Sequence, residues 1–219
     1  MRRGDIQRTR VKICGLTRVS DIAAVVAAGA DAVGFVFHPA SPRAVTPEQA
    51  AQLCRALPPF VTAVGLFVDA RPEAIAATLE QVPLDLLQFH GDESPGFCSA
   101  FGRRWIKAIR MRPEINLAAE RERFSGADGL LLDAYEPGRA GGTGQCFDWA
   151  RIPPDLASEI LLAGGLTPAN VAEAIEQVRP YGVDVSGGVE TAKGIKDPDL
   201  IFAFMQGVRD GDRRRNQPG

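Results

Sequence analysis

A chain of 219 residues is long enough for one sizeable core, and a formal charge of −2, from 25 basic and 27 acidic side chains, gives it no field to recruit nucleic acid or a membrane surface. Hydrophobic residues make up 45% of the chain and are spread evenly, which excludes a disordered chain; no apolar run approaches a membrane span. Four widely spaced cysteines (Cys14, Cys54, Cys98, Cys146) and two histidines (His38, His90) support neither a disulfide framework nor a zinc site, so no metal is expected.

The opening "MRRGDIQRTR" leads into no apolar signal segment, so the cytoplasm is the expected location. Short β-branched runs then alternate with helix-like segments. "RVKICGL" precedes "TRVSDIAAVVAAGA", where Ala and Val recur at helical spacing. "DAVGFVF" precedes "TPEQAAQLCRAL", with Thr46 as N-cap and Pro47 at the first helical position. "TAVGLFVD" precedes "RPEAIAATLEQV", and "LDLLQFHG" precedes "SPGFCSAF", where Ser94 and Pro95 repeat the cap logic. "RWIKAIRM" precedes "INLAAERERF". "GLLLDAY" leads into a long glycine-rich loop and a short helix near "FDWARI". "EILLAGGL" precedes "TPANVAEAIEQV", and "GVDVSGG" precedes "DPDLIFAFMQGV". The last residues, "GDRRRNQPG", lack apolar periodicity and are expected to fray.

Strict alternation of eight strands and helices predicts a parallel α/β sheet with both faces covered. A closed (β/α)8 TIM barrel fits better than an open doubly wound sheet. No GxGxxG opens the first helix, and the phosphate-like glycine turns come late, after the seventh and eighth strands. The whole chain, 1–219, is expected to form one domain, with an ordered core at about 10–209, a short N-terminal extension and a basic C-terminal tail.

Barrel chemistry sits at the C-terminal ends of the strands, and residues two apart share a face. Lys12 and Cys14 therefore share a face, as do Gln88 and His90, Leu131 and Asp133, and Asp184 and Ser186. Polar groups inside a barrel are costly unless paired or used, so these strand ends predict a polar site. Each has two readings. Cys14 is a small packed thiol or a base whose thiolate Lys12 stabilises. Asp133 is a reactive carboxyl or a cap for the next loop; Asp184 acts chemically or anchors its loop. His90 touches the substrate or satisfies a buried neighbour. Arg43, in "HPASPR", clamps a carboxylate or is a solvated arginine. Gly164 and Gly165, and Ser186, Gly187 and Gly188, open their backbones to a phosphate or only make tight turns. The loop from Gly138 to Gly144, with Gly141 and Gly142, is a lid or a long surface loop. Cys54 and Cys98 lie in helix candidates and are read as packing.

Seven ordered motifs, "VKICGLT", "AVGFVF" with "SPR", "VGLFVD", "LLQFHGDE", "LLLDA" with "GGTGQCFDW", "LAGGLTPANV" and "VDVSGGVE", together resemble the phosphoribosylanthranilate isomerase family of tryptophan biosynthesis. The resemblance runs from about Val11 to about Phe204. It implies a TIM barrel that rearranges N-(5-phosphoribosyl)anthranilate to 1-(2-carboxyphenylamino)-1-deoxyribulose 5-phosphate without a cofactor. It implies Cys14 as general base, Asp133 as general acid, and Arg43 on the anthranilate carboxylate. Lys12, Gln88, His90 and Asp184 fall in the expected substrate-binding set, and the phosphate falls on the two glycine loops. One departure is visible: Gly187 stands where the family commonly has a second serine.

Such chemistry needs a neutral carboxyl at Asp133 to protonate the furanose oxygen and a thiolate at Cys14 to take a carbon-bound proton, so the thiol is expected to be held down. The expected partner is a small phosphosugar rather than a nucleic acid or membrane, and the expected assembly is a monomer or homodimer. Other phosphosugar barrels, namely a histidine-pathway isomerase with two aspartates or a metal-dependent epimerase, are the competing enzymes. A phosphate-ligand sensor on a retired barrel is the non-enzymatic alternative.

Overall fold

The computed structural model describes residues 8–134 and 147–217. The predicted alternation is present throughout them. In chain order the elements are β1 (Arg10–Cys14), α1 (Val19–Ala28), β2 (Ala32–Val36), α2 (Pro47–Cys54), β3 (Thr62–Phe67), α3 (Pro72–Gln81), β4 (Leu86–Phe89), α4 (Pro95–Ser99) and β5 (Arg104–Arg110). There follow α5 (Leu117–Arg123), β6 (Gly129–Asp133), a single 3-10 turn at Trp149–Arg151, α6 (Pro154–Ala157), β7 (Ile160–Leu162), α7 (Val171–Val178) and β8 (Gly182–Val185). A small antiparallel hairpin, β9 (Glu190–Ala192) and β10 (Ile195–Lys196), precedes α8 (Pro198–Arg215).

Strands β1 to β8 pair in order, and β8 closes on β1 through Arg10↔Gly182 to Ile13↔Val185, so the sheet is a closed parallel barrel. The register is continuous and fixes which side chains face inward. Lys12 lies beside Asp184, Cys14 beside Gly34, Leu66 beside Gln88, and Ala108 beside Leu131. The alternate residues face the helices and build the main core: Val11, Ile13, Phe35, Phe67, Phe89 and Leu132 are all buried there. Cys54 and Cys98 are buried in this helix-facing layer, as the packing reading expected, and burial, the largest influence, pushes each thiol up to about 11.

Helix starts follow the sequence signals. The Thr46 hydroxyl accepts from Gln49 N at 3.2 Å while Gln49 Oε1 accepts from Thr46 N at 3.0 Å, a reciprocal cap before α2. Ser94 caps α4 from the same position, and Asp197 caps α8 by accepting from Asp199 N and Leu200 N.

The chain ends depart from the expectation. The helix that was to fray after residue 209 continues to Arg215, and both Asp212 and Arg215 are buried. Asp212 accepts from Thr9 N at 2.9 Å and from the Thr9 hydroxyl at 2.6 Å, and pairs with Arg215 at 3.2 Å. The stitch is polar, so a search for apolar periodicity passes over it. The ordered fold therefore runs beyond the expected C-terminal limit, to Arg215. The loop holding Gly141 and Gly142, and Cys146, lie outside the described residues.

Candidate active site

Three side chains, Lys12, Cys14 and Asp184, converge at the inner face of β1 and β8. Lys12 Nζ donates to Asp184 Oδ1 at 2.8 Å, and both residues are buried. Cys14 is buried one inward position above Lys12, against Val36 and Leu66. A Cβ on Gly34 would lie 2.7 Å from Cys14 Sγ and 3.2 Å from Lys12 Nζ, so the bare backbone at Gly34 makes room for the thiol and the ammonium together.

The thiol is not held down as expected. Burial pushes Cys14 above the ordinary thiol value; Lys12 and, more weakly, Lys196 pull it back, while Asp184 pushes it up. Burial likewise disfavours the Lys12 ammonium, but Asp184 and Cys14 outweigh it and leave Lys12 above its ordinary value. The correction has a simple cause. Burial is the largest influence and outweighs the downward pull of Lys12, and the Asp184 carboxylate that pairs with Lys12 adds its own upward push.

Across the barrel, Asp133 ends β6 with its carboxyl buried, and His90 Nε2 lies 3.2 Å from Asp133 Oδ2. Gln88 Nε2 lies 3.2 Å from His90 Nδ1, and the buried Gln88 Oε1 has no hydrogen-bond partner among the described residues. The loop carrying His90 is pinned from outside. Lys107, on the helix-facing side of β5, donates to Gly91 O at 2.6 Å and Glu93 Oε2 at 3.0 Å. Glu93 in turn accepts from Asp69 N and Gly91 N, both at 2.9 Å, and Arg110 donates to His90 O at 3.1 Å.

The glycine loops after β7 and β8 meet each other. Gly164 and Gly165 both have positive φ, at 79° and 70°. A Cβ at Gly188 would collide with Leu166 O, so the loops after β7 and β8 press backbone to backbone. Ser186 Oγ is already committed, donating to Cys14 O at 3.0 Å. Gly188→Ala is expected to destabilise the fold by about 1–3 kcal/mol, as overpacking does, and to raise KM for a phosphorylated substrate. Thermal unfolding and KM check this, with Gly96→Ala as control, because nothing lies within 4 Å of the added methyl there.

Arg43 is drawn in rather than solvated. Its Nε donates to Glu190 Oε1 at 2.8 Å and its Nη2 to Glu190 Oε2 at 2.7 Å. Lys196, fully buried, donates to Glu190 Oε1 at 2.7 Å and to Ser186 O at 3.0 Å. Glu190 and Lys196 escaped the sequence reading because their hairpin strands span only three and two residues. Glu93 and Lys107 escaped it because Lys107 is out of phase with the inward set; a buried lysine on an outer strand position was the available signal.

Residues 11–207 match the family model described as N-(5'-phosphoribosyl)anthranilate isomerase. A protein of that name from Nitrosococcus oceani is 56% identical over 201 residues, which cover 92% of this chain and 98% of the relative. A phosphoribosyl anthranilate isomerase structure from Thermus thermophilus superposes with a TM-score of 0.82 at 37% identity, covering 92% of this chain and 98% of that one. Another isomerase of that name, solved in complex with reduced 1-(o-carboxyphenylamino)-1-deoxyribulose 5-phosphate, superposes with a TM-score of 0.78 at 38% identity, with the same coverage.

Proposed function

Because the chain belongs to the N-(5'-phosphoribosyl)anthranilate isomerase family, we propose that Cys14 and Asp133 divide that family's reaction between them as base and acid. The enzyme is an isomerase of tryptophan biosynthesis that acts on a small phosphosugar. It carries out an Amadori rearrangement of N-(5-phosphoribosyl)anthranilate to the aminoketose 1-(2-carboxyphenylamino)-1-deoxyribulose 5-phosphate.

Asp133, acting from its protonated form, gives its proton to the furanose oxygen. The C1′–O bond breaks, and the anilino nitrogen supplies its lone pair to form a protonated Schiff base. The Cys14 thiolate then takes the C2′ proton. The electrons of that bond form C1′=C2′ and return the pair to nitrogen, giving an enolamine. Gain of a proton at C1′ and loss of the O2′ proton complete the ketose. The substrate's own nitrogen accepts and returns the electrons, so the step balances without a redox partner.

The observation that carries the acid role is the Gln88–His90–Asp133 line. A neutral imidazole can serve Asp133 in both protonation states. With Gln88 Nε2 donating to Nδ1, His90 Nε2–H donates to the carboxylate left after proton transfer. With the Gln88 amide turned over, its unpartnered Oε1 accepts from Nδ1–H, and Nε2 accepts from the protonated carboxyl. Gln88 and His90 thus hold Asp133 through the cycle. Lys12 and Asp184 support the thiol end, Arg43 takes the anthranilate carboxylate, and the phosphate takes the loops at Gly164–Gly165 and Ser186–Gly188.

The raised thiol sets the pH dependence of the base. Below its titration Cys14 is a protonated thiol and cannot take a proton; above it the thiolate is present. Inactivation by iodoacetamide is therefore expected to climb from about pH 6 towards and beyond the ordinary thiol value. Lys12→Met should move the inactivation curve further to alkaline pH, because the largest downward pull on the thiol is removed. A flat inactivation rate across that range would remove the assignment of Cys14 as a buried, raised thiol.

The proposed assembly is a monomer or a homodimer, and sedimentation velocity decides between them. As an enzyme of amino-acid biosynthesis its proposed place is the cytoplasm, and no nucleic-acid role is assigned to it. The decisive experiment is turnover of phosphoribosylanthranilate by the purified protein.

A further inference from the structure

Resting on the reading of Arg43 as the anthranilate-carboxylate clamp, we propose that Glu190 is the positioning residue that aims this clamp. The guanidinium has two edges that can each hold a carboxylate by two parallel N–H bonds. Glu190 takes the side edge, through Nε at 2.8 Å and Nη2 at 2.7 Å. The terminal edge remains, with Nη1 making no hydrogen bond among the described residues. A planar ion fixed along one edge has the direction of its other edge fixed as well. Glu190 therefore points Arg43 at an incoming carboxylate before any ligand arrives.

Burial and two further contacts make Glu190 a fixed point rather than a chance neighbour. Its side chain is buried, Lys196 Nζ donates to Oε1 at 2.7 Å, and Gly194 N donates to the same oxygen at 3.3 Å. Lys196 also donates to Ser186 O, so the clamp is joined to the loop assigned to the phosphate. The two ends of the substrate are thus gripped by one rigid unit. A carboxylate between two cations is also stabilised in its charged form: burial raises Glu190, but Arg43 and Lys196 outweigh that and hold it below its ordinary value.

The stem of Arg43 follows from the same geometry. Gly15, at φ 79°, lacks the Cβ that would collide with Arg43 Cδ, so the side chain crosses the strand end directly after Cys14. At Gly187 an added Cβ would sit 3.4 Å from Arg43 Nη2, an ordinary contact. With glycine there, no side chain at position 187 steadies the guanidinium, and the task falls to Glu190.

The test compares two inhibitors: the reduced product, and its counterpart built from aniline, which lacks the carboxylate. Binding is measured by calorimetry for the wild-type protein, Arg43→Met, Glu190→Gln and the double variant Glu190→Gln/Lys196→Met, which removes one charge of each sign and covers a failure of the single variant to fold. Glu190→Gln and the double variant are expected to weaken the carboxylated ligand about tenfold while leaving the aniline ligand unchanged, with Arg43→Met losing more. Equal weakening of both ligands, or no weakening, in the Glu190 variants overturns the positioning role while an Arg43→Met loss confined to the carboxylated ligand keeps the clamp. If Arg43→Met treats both ligands alike, the clamp reading itself falls, and the role of Glu190 with it.

Discussion

Cys14→Ser is expected to lower kcat by about 10²–10⁴-fold, the contribution of a positioned general base, with little change in affinity for the reduced product. Serine fills almost the same space, keeps the backbone carbonyl that Ser186 Oγ bonds, and leaves the Lys12–Asp184 pair intact. What it loses is an ionisable group that can be deprotonated near neutral pH. The step that slows is removal of the C2′ proton, so substrate deuterated at C2′ should show a full primary isotope effect in this variant. Near-wild-type turnover would end the base assignment.

Asp133→Asn should cost a comparable factor in kcat for a different reason. The amide is isosteric and can still accept from His90 Nε2, which lies 3.2 Å from the carboxylate in the native protein, so the site keeps its shape. It has no acidic proton to deliver to the ring oxygen. Ring opening becomes limiting, and the isotope effect at C2′ should vanish. Opposite isotope behaviour in the two variants separates acid from base in one measurement; the same behaviour in both would mean the two roles are not divided as proposed.

The barrel was legible because its two periods, alternation in strands and helical spacing between them, are written in apolar residues. Thr46 and Ser94 marked helix starts because a side-chain oxygen before proline has little else to do there. The inward polar set, from Lys12 and Cys14 through Gln88 to Asp184, was legible for the same reason: parity along a strand is a property of the sequence. Other features were not. The raised thiol depends first on burial inside the closed barrel and then on Asp184, 172 positions from its partner Lys12, and the fate of the Arg43 guanidinium depends on Glu190, 147 positions away. Spacing carries no such information; only closure of the sheet does. The hairpin that carries Glu190 and Lys196 is too short to leave a periodic trace.

The bonds from Thr9 to Asp212 have a consequence of their own. They hold the start of the first strand against the final helix, where β8 also meets β1. The seam between the first and last strands is thus held by side-chain hydrogen bonds to a buried carboxylate as well as by the strand ladder. Loosening the Thr9–Asp212 stitch should therefore open the ring first at the one seam where sequence-distant strands pair.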